Sequence, residues 1–302
     1  MFGKITEVPM VLATLIFSYF EVLYRMIVPR PRKSIAGQVA LITGAGGGIG
    51  FQESLQFAAE GAKVILVDVN KKLLNKVVTA VEEKGGTVYS YVCDITSKSE
   101  VDLLFEKIWE DVGQVDILVN NAGVMPVRKI SDLSQREIEL TFHLNIICHF
   151  WLIQHVLPGM KKRRSGHIVE IASMAGVVGK SMLTDYCSSK FAVVGLSESL
   201  KHELQLEKFT DIHVTCICPM FVDTHLISNV LDHSNYKTDV LLTPEHVASV
   251  IVDATLRNKF MVSIPGYLLS LVYFLKLYIP MRALIKLDEF MREGFFPKTK
   301  AE

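Results

Sequence analysis

The residues best suited to chemistry in this chain are Tyr186 and Lys190, in the run Tyr186-Cys187-Ser188-Ser189-Lys190, and Ser173, thirteen positions earlier. A spacing of four puts Tyr186 and Lys190 on one face of a helix. A free phenol, with a pKa of about 10, is a poor base at neutral pH. A neighbouring ammonium favours the phenolate and lowers that value. The pair then forms a general acid/base suited to moving an alcohol proton. Ser173 ends the run Ile171-Ala172-Ser173 and can hydrogen-bond the same substrate oxygen. A second group is Thr43-Gly44-Ala45-Gly46-Gly47-Gly48-Ile49-Gly50, directly after an apolar run. Glycines let a backbone approach a pyrophosphate, and the charge of that group is favoured at a helix N-terminus. Asp68 follows 18 residues after Gly50. A carboxylate there accepts hydrogen bonds from both hydroxyls of an adenine ribose and repels a 2′-phosphate. This favours NAD over NADP, although Lys71 and Lys72 stand close behind. Neither pattern decides alone: Y-x-x-x-K is common by chance, and a glycine run is often only a tight turn.

The scaffold that must position these groups is an alternating one. Short apolar, β-branched runs at 39–43, 63–68, 87–92, 115–120, 167–172, 213–218 and 260–264 predict strands buried on both faces. Amphipathic stretches between them predict helices. One, over 134–160, opens with the capping box Ser134-x-x-Glu137. Another starts at Thr243-Pro244-Glu245, with proline at the first helical position. The order implies an α/β fold, a doubly wound, mostly parallel sheet of about seven strands with helices on both faces. The Tyr186 helix then follows the strand that ends at Ser173, and the glycine turn follows the first strand.

With those positions in place, the chain resembles the short-chain dehydrogenase/reductases from about Ala36 to Pro265. The resemblance rests on Thr43–Gly50, on Asp94, on Asn120-Asn121-Ala122-Gly123, and on Asn145, Ser173, Tyr186 and Lys190. It implies that Asn145, Ser173, Tyr186 and Lys190 form the catalytic set. Asn145 would hold a water linking Lys190 to solvent, and Lys190 would also bind the nicotinamide ribose. It implies that Gly44, Gly48, Ile49, Gly50, Asp68, Asp94, Asn121, Ala122 and Gly123 hold the dinucleotide, with Asp94 at the adenine. Pro219, Val222 and Thr224 would line the nicotinamide pocket. Many members have Pro-Gly where this chain has Pro219-Met220-Phe221, which alters the substrate wall rather than the cofactor site. The run Ile-Val-Pro-Arg-Pro-Arg-Lys at 27–33 and Cys218-Pro219-Met220-Phe221-Val222 look like a membrane-associated branch of the family, related to 17-beta-hydroxysteroid dehydrogenase types 11 and 13 and to epidermal retinol dehydrogenase. That branch implies a lipophilic alcohol as substrate, a homodimer, and a place on the endoplasmic reticulum or lipid droplets.

Composition agrees. Lysine plus arginine and aspartate plus glutamate are equal, at 32 each, so no basic field draws nucleic acid. The mean hydropathy is +0.32, which points to contact with lipid. Residues 8–28 form an almost continuous apolar run, strongest over 9–20 and interrupted by Glu21 and Arg25. It is close to the roughly 20 residues needed to cross a bilayer. Arg30, Arg32 and Lys33 come next, so the positive-inside rule keeps the remaining chain in the cytosol. Residues 1–33 thus read as a retained anchor, spanning or interfacial, 34–265 as the catalytic domain with a lid over 219–240, and 266–302 as an apolar extension and tail. The end, Lys298-Thr299-Lys300-Ala301-Glu302, resembles a retrieval signal for the endoplasmic reticulum. Five scattered cysteines fit reduced, buried thiols. His143, His149 and His155 share a helix at a spacing of six that divides its faces, so no metal is expected. These features together imply a lipid alcohol dehydrogenase using NAD. A membrane- or droplet-coating protein that keeps the fold for partner binding is the second reading, opposed by the intact catalytic set.

Overall fold

The structure, a computed structural model, describes residues 8–227, 241–286 and 289. Residues 228–240 of the expected lid, the end of the tail and the Lys298-Thr299-Lys300 run lie outside the described residues. The chain divides into two units, Met1–Lys33 and Ser34–Glu302.

In the first unit, α1 (Val8–Ile27) is a 20-residue helix. At 1.5 Å per residue it is about 30 Å long, the thickness of a bilayer's hydrocarbon core. Phe17, Tyr19, Phe20 and Ile27 are exposed on it. The two charges that interrupt the run meet each other: Arg25 Nε lies 3.7 Å from Glu21 Oε1, and Arg30 Nη2 lies 3.2 Å from the same oxygen.

In the second unit, seven parallel strands form one sheet: β1 (Val39–Thr43), β2 (Lys63–Asp68), β3 (Val88–Val92), β4 (Ile117–Asn120), β5 (Gly166–Ile171), β6 (Ile212–Pro219) and β7 (Met261–Ile264). Their order is β3-β2-β1-β4-β5-β6-β7. The order reverses between β1 and β4, so a crevice opens at their C-terminal ends, the usual ligand position in such sheets. The helices α2 (Gly48–Ala59), α3 (Lys71–Glu82) and α8 (Pro244–Leu256) cover one face through Phe57, Leu74, Val77 and Ile251. On the other face lie α4 (Lys98–Asp111), α6 (Cys148–Arg163) and α7 (Thr184–Leu206), through Phe105, Leu152 and Leu204. The central strands are buried on both sides, as their continuous apolar runs require. β3 is not: Ser90 and Val92 are exposed, because it ends the sheet and has a neighbour on one side only.

The stretch expected as one helix over 134–160 is broken into α5 (Gln135–Phe142), a π-helical turn at His143–Ile147, and α6, which runs on to Arg163. The capping box forms: Ser134 Oγ accepts from Glu137 N at 3.2 Å, and Glu137 Oε2 accepts from Ser134 N at 2.9 Å. The π turn inserts extra backbone and rotates α6 relative to α5, a distortion that hydrophobic periodicity does not signal. The predicted start of α8 is also present, with Thr243 Oγ1 accepting from His246 N at 3.2 Å. Beyond β7, α9 (Leu268–Tyr278) packs Leu268, Leu269 and Val272 against Ala172, Met174 and Val177. Its Lys276 Nζ donates to Val177 O at 2.6 Å, while Phe274, Leu277 and Tyr278 are exposed. At 11 residues this helix is too short to span a bilayer.

Candidate active site

The glycine turn is fixed from below by Thr43. Its buried hydroxyl donates to Val119 O at 3.3 Å and accepts from Asn121 N at 3.0 Å and Ala122 N at 3.2 Å. Asn121 closes the turn from the side, its Nδ2 donating to Thr43 O at 2.9 Å and Gly44 O at 3.3 Å. Gly44 has φ +63°, and a Cβ there would lie 2.8 Å from Ala122 Cα. At Gly50 a Cβ would overlap the Gly44 carbonyl. Only glycine keeps this cradle open, and α2 starts above it with no side-chain cap on its N–H groups. A cavity of about 300 Å³ lies against Gly46, Gly47 and Gly48. The cradle, which any Cβ would fill, fits the pyrophosphate of a dinucleotide.

Asp68 ends β2 at the rim of the cradle. Its Oδ2 accepts from Gly46 N at 3.0 Å and its Oδ1 from Asn70 N at 2.9 Å. Gly48 abuts Thr224, whose Cγ2 would lie 2.7 Å from an added Cβ. Ile49, half-buried, packs into the core beneath. Val222 is buried and bridges to Leu242. Asp94 is less engaged with these groups. It comes just after β3, and its Oδ1 is taken up by Thr96, from the backbone N at 2.9 Å and from the hydroxyl at 2.7 Å.

The residues expected to handle the proton lie at the ends of β4, β5 and β6. Lys190 Nζ donates to Ile171 O at 2.7 Å and lies 5.8 Å from the centre of the Tyr186 ring. Ser173 Oγ accepts from Ala175 N at 3.1 Å and lies 3.5 Å from Pro219 O. The π turn aims Asn145 at the loop after β4: Oδ1 accepts from Val124 N, and Nδ2 donates to Val124 O, both at 2.9 Å. A Cβ on Gly123 would stand 3.2 Å from Asn145 Oδ1 and 3.7 Å from Lys190 Nζ, so this glycine lets the two approach. Tyr186 is buried in an apolar cluster with Met125, Leu183, Cys187 and Ile227, bordered by Phe221.

Burial pushes the Tyr186 phenol up to about 12, with the Ser173 hydroxyl working against it. Burial also pulls the Lys190 ammonium down to about 8, opposed first by Glu170. The net shift of the phenol is therefore upward, and its largest cause is burial. Desolvation of the phenolate prevails, and the ammonium beside it is itself desolvated and turned toward Ile171 O.

Two supporting residues are not marked by the sequence pattern. Ser189 accepts from Asn145 Nδ2 at 3.0 Å and donates to Tyr186 O at 2.7 Å, tying the π turn to α7. It lies inside the Tyr186–Lys190 run, but nothing in the spacing marks it as a bridge. Thr43 stands in the glycine motif, while its role as the lock between β1 and β4 needs the sheet order.

A family model described as short chain dehydrogenase matches residues 38–235. The chain belongs to the short-chain dehydrogenase/reductases. It is an oxidoreductase on a fold that holds NAD(P) in solved neighbours. It is 39% identical to human 17-beta-hydroxysteroid dehydrogenase 13 over 279 residues, covering 92% of this chain and 91% of that protein. It is 35% identical to mouse epidermal retinol dehydrogenase 2 over 291 residues, covering 94% of each. Among solved structures, a variant of actinorhodin polyketide ketoreductase with NADPH superposes with a TM-score of 0.70 at 28% identity, over 77% of this chain and 97% of that one.

Proposed function

We propose that this dehydrogenase interconverts a lipophilic alcohol (a hydroxysteroid, retinol or a related lipid) and its ketone or aldehyde, with NAD as partner, on a cytosol-facing membrane or droplet surface. The observation that carries this reading is the placement of Tyr186. Its hydroxyl works beside Ser173 and Lys190, inside a wall of Met125, Leu183, Phe221 and Ile227. An apolar wall around one acid/base group suits a lipid alcohol, with Ser173 orienting its oxygen and Tyr186 taking its proton. NAD, when bound, accepts the hydride. Lys190 holds the ribose and favours the phenolate once the site is filled, and Asn145 leads the proton toward solvent. Gly44, Gly48, Ile49, Gly50, Asn121, Ala122 and Gly123 hold the pyrophosphate side, Asp94 the adenine, and Pro219, Val222 and Thr224 the nicotinamide side.

Asp68 supports NAD over NADP. Each of its oxygens accepts one backbone N–H, and the lone pairs that remain suit two ribose hydroxyls and repel a phosphate. The names of the steroid and retinol relatives support the substrate class. α1 supports an anchor over 1–33, ahead of a catalytic domain over 34–265 and an extension over 266–302. A homodimer, and residence on the endoplasmic reticulum or lipid droplets, rest on the family relationship. The test is a panel of hydroxysteroids, retinoids and fatty alcohols with NAD or NADP, in detergent or liposomes. NADH formation with at least one lipid alcohol is expected. NADH binding without turnover on any of them would favour the coating-protein reading.

A further inference from the structure

Two buried hydrogen bonds join the interrupted helix over 135–163 to α7, and the alcohol chemistry gives the first of them no role. Thr141 Oγ1, in the last turn of α5, donates to Asp185 Oδ2 at 2.9 Å. Four residues on, in the π turn, Asn145 Nδ2 donates to Ser189 Oγ at 3.0 Å. Asp185 and Ser189 are also four apart, so the two bonds are successive rungs on one face of α7. All four side chains are 0–5% exposed. Tyr186 and Lys190 each come one residue after a rung. The second rung ends on the tyrosine itself, because Ser189 Oγ donates to Tyr186 O at 2.7 Å.

This end of α7 is held mainly by polar groups. Its first two turns bury Asp185, Tyr186, Cys187, Ser189 and Lys190, while the aliphatic contacts of Val193, Val194, Leu200 and Leu204 come later. Apolar packing is non-directional, whereas a hydrogen bond weakens steeply away from its line. The rungs therefore resist a roll of these turns about the helix axis. The first rung does so against stability. Asp185 Oδ1 is buried without a hydrogen-bond partner, and an unsatisfied buried polar atom destabilises the fold. At about 6 Å from the axis, a roll on the order of 10° moves the end of a side chain by about 1 Å. A misplacement of about that size can cost roughly 100-fold in rate.

We propose that Asp185 is a positioning residue for the proton transfer: its hydrogen bond from Thr141, together with the one from Asn145 to Ser189, sets the roll of α7 and so the place of the Tyr186 hydroxyl. The inference rests on the reading of Tyr186 as the group that takes the alcohol proton. What Asp185 supplies is an acceptor for Thr141, and an amide oxygen can supply the same.

The experiment measures kcat per NADH-binding site for the full-length protein in detergent. It uses NAD and the most rapidly oxidised alcohol from a panel of hydroxysteroids, retinoids and fatty alcohols. Asp185→Ala lowers kcat roughly 10- to 100-fold and leaves NADH affinity, read by fluorescence, within about twofold of wild type. Thr141→Val gives the same loss and covers a failure of the first variant to fold. Asp185→Asn, which still accepts from Thr141, recovers most of the rate. The double variant Thr141→Val/Asp185→Ala is no slower than the worse single one, since both changes break one contact. An unchanged kcat in Asp185→Ala or Thr141→Val, a loss in Asp185→Asn as large as in Asp185→Ala, or additive losses in the double variant overturns the proposal. A fall in NADH affinity and in folded protein with kcat per site unchanged would make the rung structural only, and also overturns it. Tyr186→Phe separates the two readings. If it turns over like wild type, or if wild type oxidises nothing in the panel, the assignment of Tyr186 fails and the positioning role with it; if it is inactive while Asp185→Ala is not, the positioning role alone fails.

Discussion

Glu53 offers the sharpest quantitative test of how this fold handles charge. It sits on α2, just past Gly50, fully buried, with both carboxyl oxygens lacking a hydrogen-bond partner. Burial raises it from 4.5 to about 8. Between those values the unfolded chain is ionised at this residue while the folded chain keeps the proton. The contribution to stability is therefore fully present below about pH 4.5 and is lost as pH rises to about 8. The loss runs at about 1.4 kcal/mol per pH unit, on the order of 3 kcal/mol by pH 7 and 4–5 kcal/mol over the whole span. Glu53→Gln removes the titration. The amide is left unsatisfied at a cost of about 1–3 kcal/mol, but that cost does not depend on pH. Urea unfolding of both proteins in detergent, from about pH 5 to about pH 8, reads the difference. The variant should gain on wild type by about 1.4 kcal/mol per pH unit over that window. Parallel curves would refute an uncharged, unpartnered Glu53.

The site and the anchor give three further tests. Tyr186→Phe should lower kcat by roughly 10²- to 10⁴-fold while leaving NADH affinity, measured by fluorescence, nearly unchanged, because only the titratable hydroxyl is lost. Asp68→Ala should cost roughly 10- to 100-fold in kcat/KM with NAD and narrow the gap to NADP; a wild type that already prefers NADP would contradict the cofactor reading. Deleting residues 1–28 should release much of the protein from liposomes in a flotation assay while circular dichroism shows the α/β fold intact, since each buried CH₂ on α1 is worth about 0.8 kcal/mol.

The sheet can be read from the sequence because central parallel strands are buried on both faces and so appear as unbroken apolar runs. Strands β1 and β2 occupy their expected spans, and β4 to β7 shift by only a residue or two. β3 departs from the burial expectation because a sheet edge is a property of strand order, and order is not written in any one segment. The π turn at His143–Ile147 is hidden for a related reason. Its apolar positions still fit a continuous helix, and the change it makes is to the direction of one side chain. That direction matters, since it carries Asn145 to the Val124 backbone and to Ser189. Buried Asn120, His149 and Glu170 are dispersed over 50 residues of sequence; the pairing of β4 with β5 brings Asn120 to Glu170, and the packing of α6 on the sheet adds His149.

Tyr186 shows most clearly where a local pattern stops being informative. A spacing of four establishes that Tyr186 and Lys190 share a helix face, and the structure places them together. Spacing does not establish the sign of the net shift at either group. That sign depends on how much water each group loses and on what else holds the ammonium. Here Ile171 O takes the ammonium, burial weakens it, and burial of the phenol prevails. The motif therefore specifies which groups can exchange a proton, while the protonation state they start from is set by the surrounding core.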